Sequence, residues 1–280
     1  MPQNKWSPGR RINQQYRRDI IRLLYRFFEV PEGEYTALID KLQAAGPSEF
    51  LDRYAQAVSQ RMITGLLVEN ARNWREAARQ SMQGPYIYQA LQQEMQGAVG
   101  VRVRDLIDAN ARLISRIPLD VAERVSGFVM REQQKGARSE AIAERLREMV
   151  PEMAQSRIDL IARTETSKAS TALTRARSEE LDLNWYIWCT SEDQRVRASH
   201  RKMDGVIISW DDPASPERLA NERSSLGAYD PGDAPNCRCY PEPLLRLDQV
   251  RWPHKVYHAG RIQMMTRAKF EALQGVGVAA

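Results

Sequence analysis

The sequence predicts a mainly α-helical protein that ends in a small α+β module. Apolar residues recur at helical spacing from residue 10 to about residue 181, so long N-terminal helices are expected. An aromatic and β-branched run then begins at residue 185 and indicates the first strand of a short β-sheet capped by helices. The composition suits this fold, because 280 residues with 42% hydrophobic and 28% charged side chains are typical of globular domains.

The first predicted helix, residues 10–30, is amphipathic and basic. Its apolar side chains form one stripe, and arginines cluster on the opposite face. Residues 1–30 hold seven basic and two acidic residues, so this segment accounts for the whole net charge of +5. The arginines that could contact DNA or an acidic partner are Arg10, Arg11, Arg17, Arg18, Arg22 and Arg26. A solvated face on a docked helix is the alternative, and net charge does not separate the two interpretations.

Serine, glycine and proline mark the ends of the next helices. Residues 35–45 are predicted to form a short second helix. Ser48 is the predicted N-cap of a long third helix that stops at the Gly-Pro pair 84–85. One or two further helices are predicted over 86–117, where glycines indicate a break.

Proline is expected to divide the last helical stretch. A helix is predicted over 118–136, because Pro118 is tolerated in a first turn. A short helix over 139–149 is then predicted to end at Pro151, and a longer helix follows over 153–181.

The C-terminal module is predicted to contain three short extended segments. They are separated by a short helix and by a loop rich in proline, glycine and aspartate. The extended segments lie at 185–190, 205–210 and 237–245, the helix at 194–200 and the loop at 211–235. After residue 245 only 264–273 is expected to be helical. These elements divide the chain into three predicted regions. They are a helical N-terminal region 1–100, a domain 101–245 with its β module at about 184–245, and a tail 246–280.

The sequence also indicates the cellular compartment in which the protein folds. No apolar run approaches the roughly 18 to 20 residues that span a bilayer, and the first ten residues do not form a signal peptide. Three cysteines, two of them one residue apart, do not make a disulfide framework. We therefore expect a protein that folds in a reducing cytosol and has no membrane partner.

The stretch from residue 185 to 240 contains all three cysteines. Cys189, His200, Cys237 and Cys239 could together supply four zinc ligands. The spacing counts against zinc, because Cys-X-Cys is less usual than Cys-X2-Cys and the ligands come from three separate segments. Buried thiols packed as small apolar groups are the favoured interpretation, so no cofactor is expected and zinc is the alternative.

Two catalytic interpretations of this stretch stay open. One thiol could act as a nucleophile, with His200 as its base and Asp193 or Glu165 as the orienting acid. Alternatively, His200 could act as a general acid beside Arg195 and Arg197 in a nuclease. Neither is favoured, because the cluster has a single histidine and no paired carboxylates that would bind a metal.

A structural interpretation accounts for more of the charged residues. These side chains can form a network that holds the 211–235 loop against the helical body. Turn-forming residues just before Cys237, including Asn236, supply the local geometry. The charged members of the network are Arg163, Glu165, Asp193, Arg195, Arg197, Asp204 and Arg238.

The order of these residues resembles a known family. Arg163-Thr164-Glu165-Thr166 is followed by a Trp-rich strand, by Asp193-X-Arg195-Val196-Arg197-X-X-His200, by Asp204-Gly205, and finally by Asn236-Cys237-Arg238-Cys239. In this order and spacing they are similar to the phage Mu F-like minor head (head morphogenesis) protein family. The resemblance covers about residues 100–245.

The resemblance implies a virion component of a tailed double-stranded DNA phage. Such proteins associate with the portal and assist head assembly, DNA packaging or delivery. The implied partners are the portal protein, a major capsid or scaffolding protein, and double-stranded DNA. The implied location is the phage head near the portal, after assembly in the host cytoplasm. No enzyme activity is implied. The alternatives are a phage nuclease or toxin-like enzyme that uses the His200 cluster, and a DNA-binding accessory protein that uses the first helix.

Overall fold

The computed structural model describes residues 6–28, 35–45, 48–81 and 83–274. It is mainly α-helical with one small mixed β-sheet near the C terminus, which confirms the predicted fold class. Within those ranges no helix combines the length and the apolar character needed to cross a membrane.

The chain divides into two compact units, and both are made of segments that are distant in sequence. The helical unit consists of Gly9–Gly65 and Val103–Thr166. The mixed unit consists of Met1–Pro8, Leu66–Arg102 and Ser167–Ala280. The predicted regions, with boundaries at residues 100 and 245, divide the chain at other positions.

The described part of the chain contains ten α-helices. They are α1 (Arg10–Leu24), α2 (Tyr35–Ala45), α3 (Glu49–Arg79), α4 (Gly84–Gln93), α5 (Ala98–Ser115), α6 (Ile117–Gln134), α7 (Ser139–Glu180), α8 (Ala198–Met203), α9 (Pro216–Leu219) and α10 (Arg267–Leu273). The predicted long third helix is confirmed, and Ser48 Oγ accepts a hydrogen bond from the backbone N–H of Leu51 as its N-cap.

In the helical unit, α1 is fixed by its apolar stripe and by polar side chains beside it. Its buried residues include Tyr16, whose hydroxyl donates to Asn110 Oδ1 at 2.9 Å. Asn13 donates to the carbonyl of Ala162 at 2.7 Å, and Arg17 forms an ion pair with Asp159. The stripe predicted for this helix therefore faces the interior of its unit.

The predicted break at Pro151 is wrong, because α7 continues without interruption for 42 residues. A proline inside a helix removes one backbone hydrogen bond and crowds the carbonyl four residues earlier. Burial offsets this cost, since Val150, Ala154 and Ile158 are spaced four residues apart and are all buried. Tertiary packing thus overrides the local signal.

The sheet of the mixed unit has five strands within the described residues. They are β1 (Trp185–Cys189), β2 (Ile207–Ser209), β3 (Tyr240–Pro243), β4 (His254–His258) and β5 (Arg261–Met265), in the order β3-β1-β2-β4-β5. Only β2 and β4 are parallel, and the other neighbours are antiparallel. The three predicted extended segments are confirmed as β1, β2 and β3.

The hairpin of β4 and β5 was not predicted, and it lies in the segment that was expected to be a tail with a single helix. In β4 only Val256 and Tyr257 are buried, and in β5 only Met265 is buried. The alternation that marks a half-buried strand is therefore weak in both segments. The predicted helix survives as α10, which begins after Thr266 and leaves Met264 and Met265 in β5.

Each face of the sheet has its own apolar cluster. One contains Ile187, Ile207 and Val256 and is covered by Phe270 of α10. The other consists of Tyr186, Trp188, Met203, Val206, Ile208, Trp210, Ala214, Ala234, Cys237, Cys239 and Tyr257. The predicted functional stretch therefore lies on this second face.

Candidate functional site

Three side chains meet on the second face of the sheet. α8 carries His200, and Cys237 and Cys239 stand just before β3. His200 Nδ1 lies 3.4 Å from Cys237 Sγ and 3.5 Å from Cys239 Sγ. The three residues are 2%, 5% and 3% exposed, respectively, and their donor atoms all lie within 4.8 Å of one another. They form a closed cluster of one imidazole and two sulfurs.

The far side of the imidazole ring is also occupied. His200 Nε2 lies 2.9 Å from the Tyr229 hydroxyl and 3.4 Å from Glu217 Oε1. The Tyr229 hydroxyl lies 2.8 Å from each oxygen of Glu217. Burial raises the pKa of Glu217, but the bond to Tyr229 and the nearby His200 outweigh it, so the pKa lies below its ordinary value. An ionised carboxylate here favours a proton on Nε2, on the side of the ring opposite the sulfurs.

The pKa values of the two thiols are shifted in opposite directions. A hydrogen bond with Cys239 lowers the pKa of Cys237; burial opposes this shift and His200 adds to it. The same bond and burial raise the pKa of Cys239. The pair therefore favours a thiolate at Cys237 beside a thiol at Cys239.

The chain that leads into the cysteines runs close to α7. Thr171 donates its hydroxyl hydrogen to the carbonyl of Pro231 at 2.6 Å. Gly232 follows with φ +99°, and a Cβ built there would stand 2.8 Å from Thr171 Oγ1. A Trp188 ring packs edge to face against His200, with centroids 5.6 Å apart. The cluster is thus held by α7, β1 and α8 together.

Charged side chains tie the surrounding segments together. Arg238 donates to both carboxylate oxygens of Asp193, and this contact lowers the pKa of Asp193. Arg197 donates to the carbonyl of Pro235 at 2.8 Å. Asp204 accepts from the backbone N–H of Thr190 at 2.8 Å. These contacts close the 190–204 segment on itself and join it to the end of the loop and to Arg238.

The start of α8 differs from the predicted helix at 194–200. Asp193 Oδ1 accepts from the backbone N–H of Arg195, and its carbonyl accepts from Val196. Such bonds from an aspartate favour a turn over a helix. The turn delays α8 to residue 198, and the guanidinium of Arg195 is exposed.

Other predicted members of the site lie elsewhere. Cys189 is outside the group of three, and its Sγ lies 3.9 Å from Glu242 Oε2, while burial raises its pKa. Arg163 and Glu165 belong to the helical unit, where Arg163 Nε donates to the carbonyl of Asp159 in its own helix. The structure therefore gathers three of the four predicted zinc candidates, without Cys189.

Two residues of the site were not anticipated from the sequence. Glu217 and Tyr229 both come from the 211–235 segment, which was interpreted only as a loop. Pro216 places Glu217 in the first turn of α9, and Tyr229 returns toward His200 ten residues after that helix ends. No local spacing connects either residue with His200, so only the tertiary fold identifies them.

The predicted contact arginines of α1 fall into two groups. Arg10, Arg11, Arg18 and Arg22 are exposed. Arg17 is partly buried in its ion pair with Asp159, and the side chain of Arg26 lies outside the described part of the structure. Arg11, Arg18 and Arg22 lie within about 40° of one another around the helix at 100° per residue, so they form one basic face.

The chain resembles known proteins over part of its length. Residues 123–241 match the family model described as "Phage Mu protein F like protein". This match confirms the predicted resemblance and contains the whole His200–Cys237–Cys239 cluster. It ends before β4, so the hairpin lies outside it.

Two curated relatives are themselves uncharacterised proteins. One, from Haemophilus influenzae, is 31% identical over 144 residues, which are 51% of this chain and 30% of the relative. The other, from Methanocaldococcus jannaschii, is 42% identical over 75 residues, which are 27% of this chain and 12% of the relative. The chain thus spans less than a third of either relative. No solved structure matches it significantly.

Proposed function

We propose, from the Phage Mu F-like match of residues 123–241, that this protein is a minor head protein of a tailed double-stranded DNA phage. It associates with the portal and with a major capsid or scaffolding protein, and it assists head assembly, DNA packaging or delivery. Its place in the virion is the head near the portal, which it reaches from the host cytoplasm. The family match is the observation that carries this proposal.

The helical unit has surface features that support protein contacts. Between α1 and α7 it has an open cavity of about 510 Å³, lined mainly by apolar side chains that include Tyr25 and Phe28. Tyr25 and Phe50 are each more than half exposed. Exposed aromatic side chains are enriched where proteins bind one another.

Purified heads test the proposal directly. Heads from the phage or prophage that encodes this chain are expected to contain it, as measured by mass spectrometry. Tagged chain expressed with the portal protein is expected to co-purify with it, whereas Tyr25→Asp combined with Phe50→Asp is expected to weaken that association. Lys41→Asp combined with Arg53→Asp is a control on the same unit. A chain missing from heads and from portal preparations would overturn the proposal.

The proposal includes no enzymatic activity. His200 is buried, and groups of the protein face both of its ring nitrogens, which supports a structural role over acid–base catalysis. Purified full-length protein is expected not to cleave DNA or RNA with magnesium, manganese or zinc present. Cleavage that disappears in His200→Ala would favour the nuclease alternative.

A second function, DNA binding by α1, is favoured by the exposed basic face. Arg10, Arg11 and Arg22 form no ion pair with any described residue, so they are available for phosphates. Replacing Arg11, Arg18 and Arg22 by glutamine is expected to weaken DNA binding and to lower the log–log salt slope by about 3. The same replacement at Arg112, Arg116 and Arg124, which are exposed in the same unit, is the control. Equal losses in both variants would exclude a specific role for α1.

A further inference from the structure

We propose that His200, Cys237 and Cys239 bind one zinc ion through Nδ1 and the two sulfur atoms. This inference concerns the architecture of the mixed unit and does not depend on a role in the phage head. It replaces the interpretation favoured by the sequence, in which the thiols only pack as apolar groups.

The distances within the cluster fit a tetrahedral zinc site. Zinc binds imidazole nitrogen at about 2.0 to 2.1 Å and thiolate sulfur at about 2.3 Å. At tetrahedral angles those bond lengths separate the nitrogen from each sulfur by about 3.5 Å. The observed separations are 3.4 and 3.5 Å. The nitrogen therefore has the spacing from each sulfur that a shared metal requires, and all three donor atoms lie within 4.8 Å of one another.

The second shell of contacts supports the same conclusion. A histidine that binds a metal through one nitrogen usually donates its other N–H to a carboxylate or a similar acceptor, which fixes its tautomer. Glu217 and Tyr229 supply such acceptors at Nε2. Both groups are held by their own mutual hydrogen bonds and leave Nδ1 directed at the thiols. Thiols that serve only as apolar packing need no such arrangement.

The donor set selects the class of metal. Two sulfurs and one imidazole suit zinc, whereas magnesium, calcium and manganese prefer oxygen ligands. Zinc binds cysteine as the thiolate, so a sulfur that still carries its proton must release it to solvent before it binds. Among the described residues no further histidine, cysteine or carboxylate ligand atom joins the group. Zinc with three protein ligands takes a water or another small ligand as its fourth.

A catalytic cysteine is the closest rival, because a thiol, an imidazole and a carboxylate also stand in line here. That chemistry needs one accessible thiol beside the histidine. Two sulfurs instead converge on the same nitrogen, and both are almost fully buried. A reactive cysteine is expected to be partly exposed. Burial and the second sulfur therefore favour the metal.

Metal content of the full-length protein tests this proposal. Protein purified without chelator, with any affinity tag removed, is expected to contain about one zinc per chain by elemental analysis. Cys237→Ser and His200→Ala are expected to reduce zinc below about half an equivalent. Cys189→Ser is the matched control, since that thiol lies outside the cluster, and it is expected to keep its zinc.

A second measurement uses the wild-type chain, so it does not depend on whether the variants fold. Protein reconstituted with cobalt(II) is expected to show tetrahedral visible bands and thiolate-to-metal charge transfer. Wild-type protein with less than about half an equivalent of zinc and no cobalt–thiolate spectrum would overturn the proposal. So would equal zinc loss in Cys189→Ser and Cys237→Ser. Rapid alkylation of Cys237 in the native, zinc-free protein would instead identify a reactive thiol.

Discussion

Gly232 lies where the chain entering the cluster runs against α7. Its φ of +99° disfavours any side chain, and a Cβ would also meet Ser167 O at 3.2 Å and Cys239 O at 3.3 Å. Gly205, at the start of the turn into β2, has φ +73° but has no atom within 4 Å of a Cβ built there. Substitution of Gly205 therefore tests backbone strain alone, whereas substitution of Gly232 tests backbone strain together with a steric clash.

We predict that Gly205→Ala lowers the free energy of unfolding by about 1 kcal/mol, the cost of a left-handed backbone. Gly232→Ala is expected to cost about 1–3 kcal/mol more, because its Cβ collides with backbone atoms and with the Thr171 hydroxyl. Urea denaturation of both variants measures this difference. Equal losses would mean that the segment at 232 moves away from α7 without cost.

At the residue scale the sequence indicated the members of the cluster but not its geometry. His200, Cys237 and Cys239 were recognised because cysteine and histidine are rare and carry distinctive chemistry. Cys189 was grouped with them by composition, yet its strand position directs it toward Glu242. Glu217 and Tyr229 could not be identified, because glutamate and tyrosine are common and their contact with His200 is long-range.

Among the elements, α7 differs most from its prediction. Proline normally ends a helix, but Pro151 lies at the exposed surface of a helix whose buried residues continue on both sides. The sequence contained that continuous apolar spacing as well. In the folded protein the burial of this apolar stripe outweighs the local effect of the proline.

We predict that Pro151→Ala raises the free energy of unfolding by about 1–2 kcal/mol. Alanine restores the missing helical hydrogen bond, and the gain is partly offset because the unfolded chain becomes more flexible. Thermal or urea unfolding measures the change. Pro118→Ala is the control, since that proline occupies the first turn of α6 and costs no hydrogen bond there. A loss of stability in Pro151→Ala would show that the proline itself is needed.

Most helices and the strands β1, β2 and β3 were predictable, whereas the β4–β5 hairpin was not. The apolar period of α1 and α3 and the aromatic run of β1 are strong local signals. The formation of β4 and β5 depends instead on pairing with other strands. β4 pairs with β2 in parallel at one residue pair, and β5 pairs with β4 in antiparallel orientation. Strand formation that depends on neighbours leaves little trace in the local sequence.

For the molecule as a whole, stability should depend on pH through Asp233. Burial raises the pKa of Asp233 to about 7, Asp230 and Cys237 add to the shift, and Lys168 opposes it. The folded protein therefore holds a proton that the unfolded chain releases between about pH 4 and 7. Stability linked to this residue is present below that window and is lost as pH rises through it.

We predict that Asp233→Asn is more stable than the wild type at pH 8 by about 1–3 kcal/mol, because asparagine stays neutral. At pH 5 the difference should be much smaller. Urea denaturation at the two pH values measures it, and Asp211→Asn, a change at an exposed acid, is the control. If the stability gain of Asp233→Asn does not change with pH, the titration of Asp233 is not the cause of the pH dependence.

The division into units could not be read from the sequence. Each unit combines segments separated by tens of residues, such as Leu66–Arg102 with Ser167–Ala280. Changes in composition along the chain mark the boundary between helical and β-rich segments. They do not indicate which distant helices share a core. The buried ion pair of Arg177 with Glu94, at 2.7 Å, joins two such segments within the mixed unit.

The two prolines of β3 have a consequence for how the sheet can meet other chains. The backbone N–H of Leu244 points at β1, where it donates to Trp185 O, so the amides of residues 241 and 243 point outward. Both are proline nitrogens and carry no hydrogen. At these two positions the edge therefore cannot donate to an incoming strand, which disfavours extension of the sheet by a second copy there. Strand addition, in a crowded assembly or in an aggregate, is therefore favoured at the β5 edge over the β3 edge.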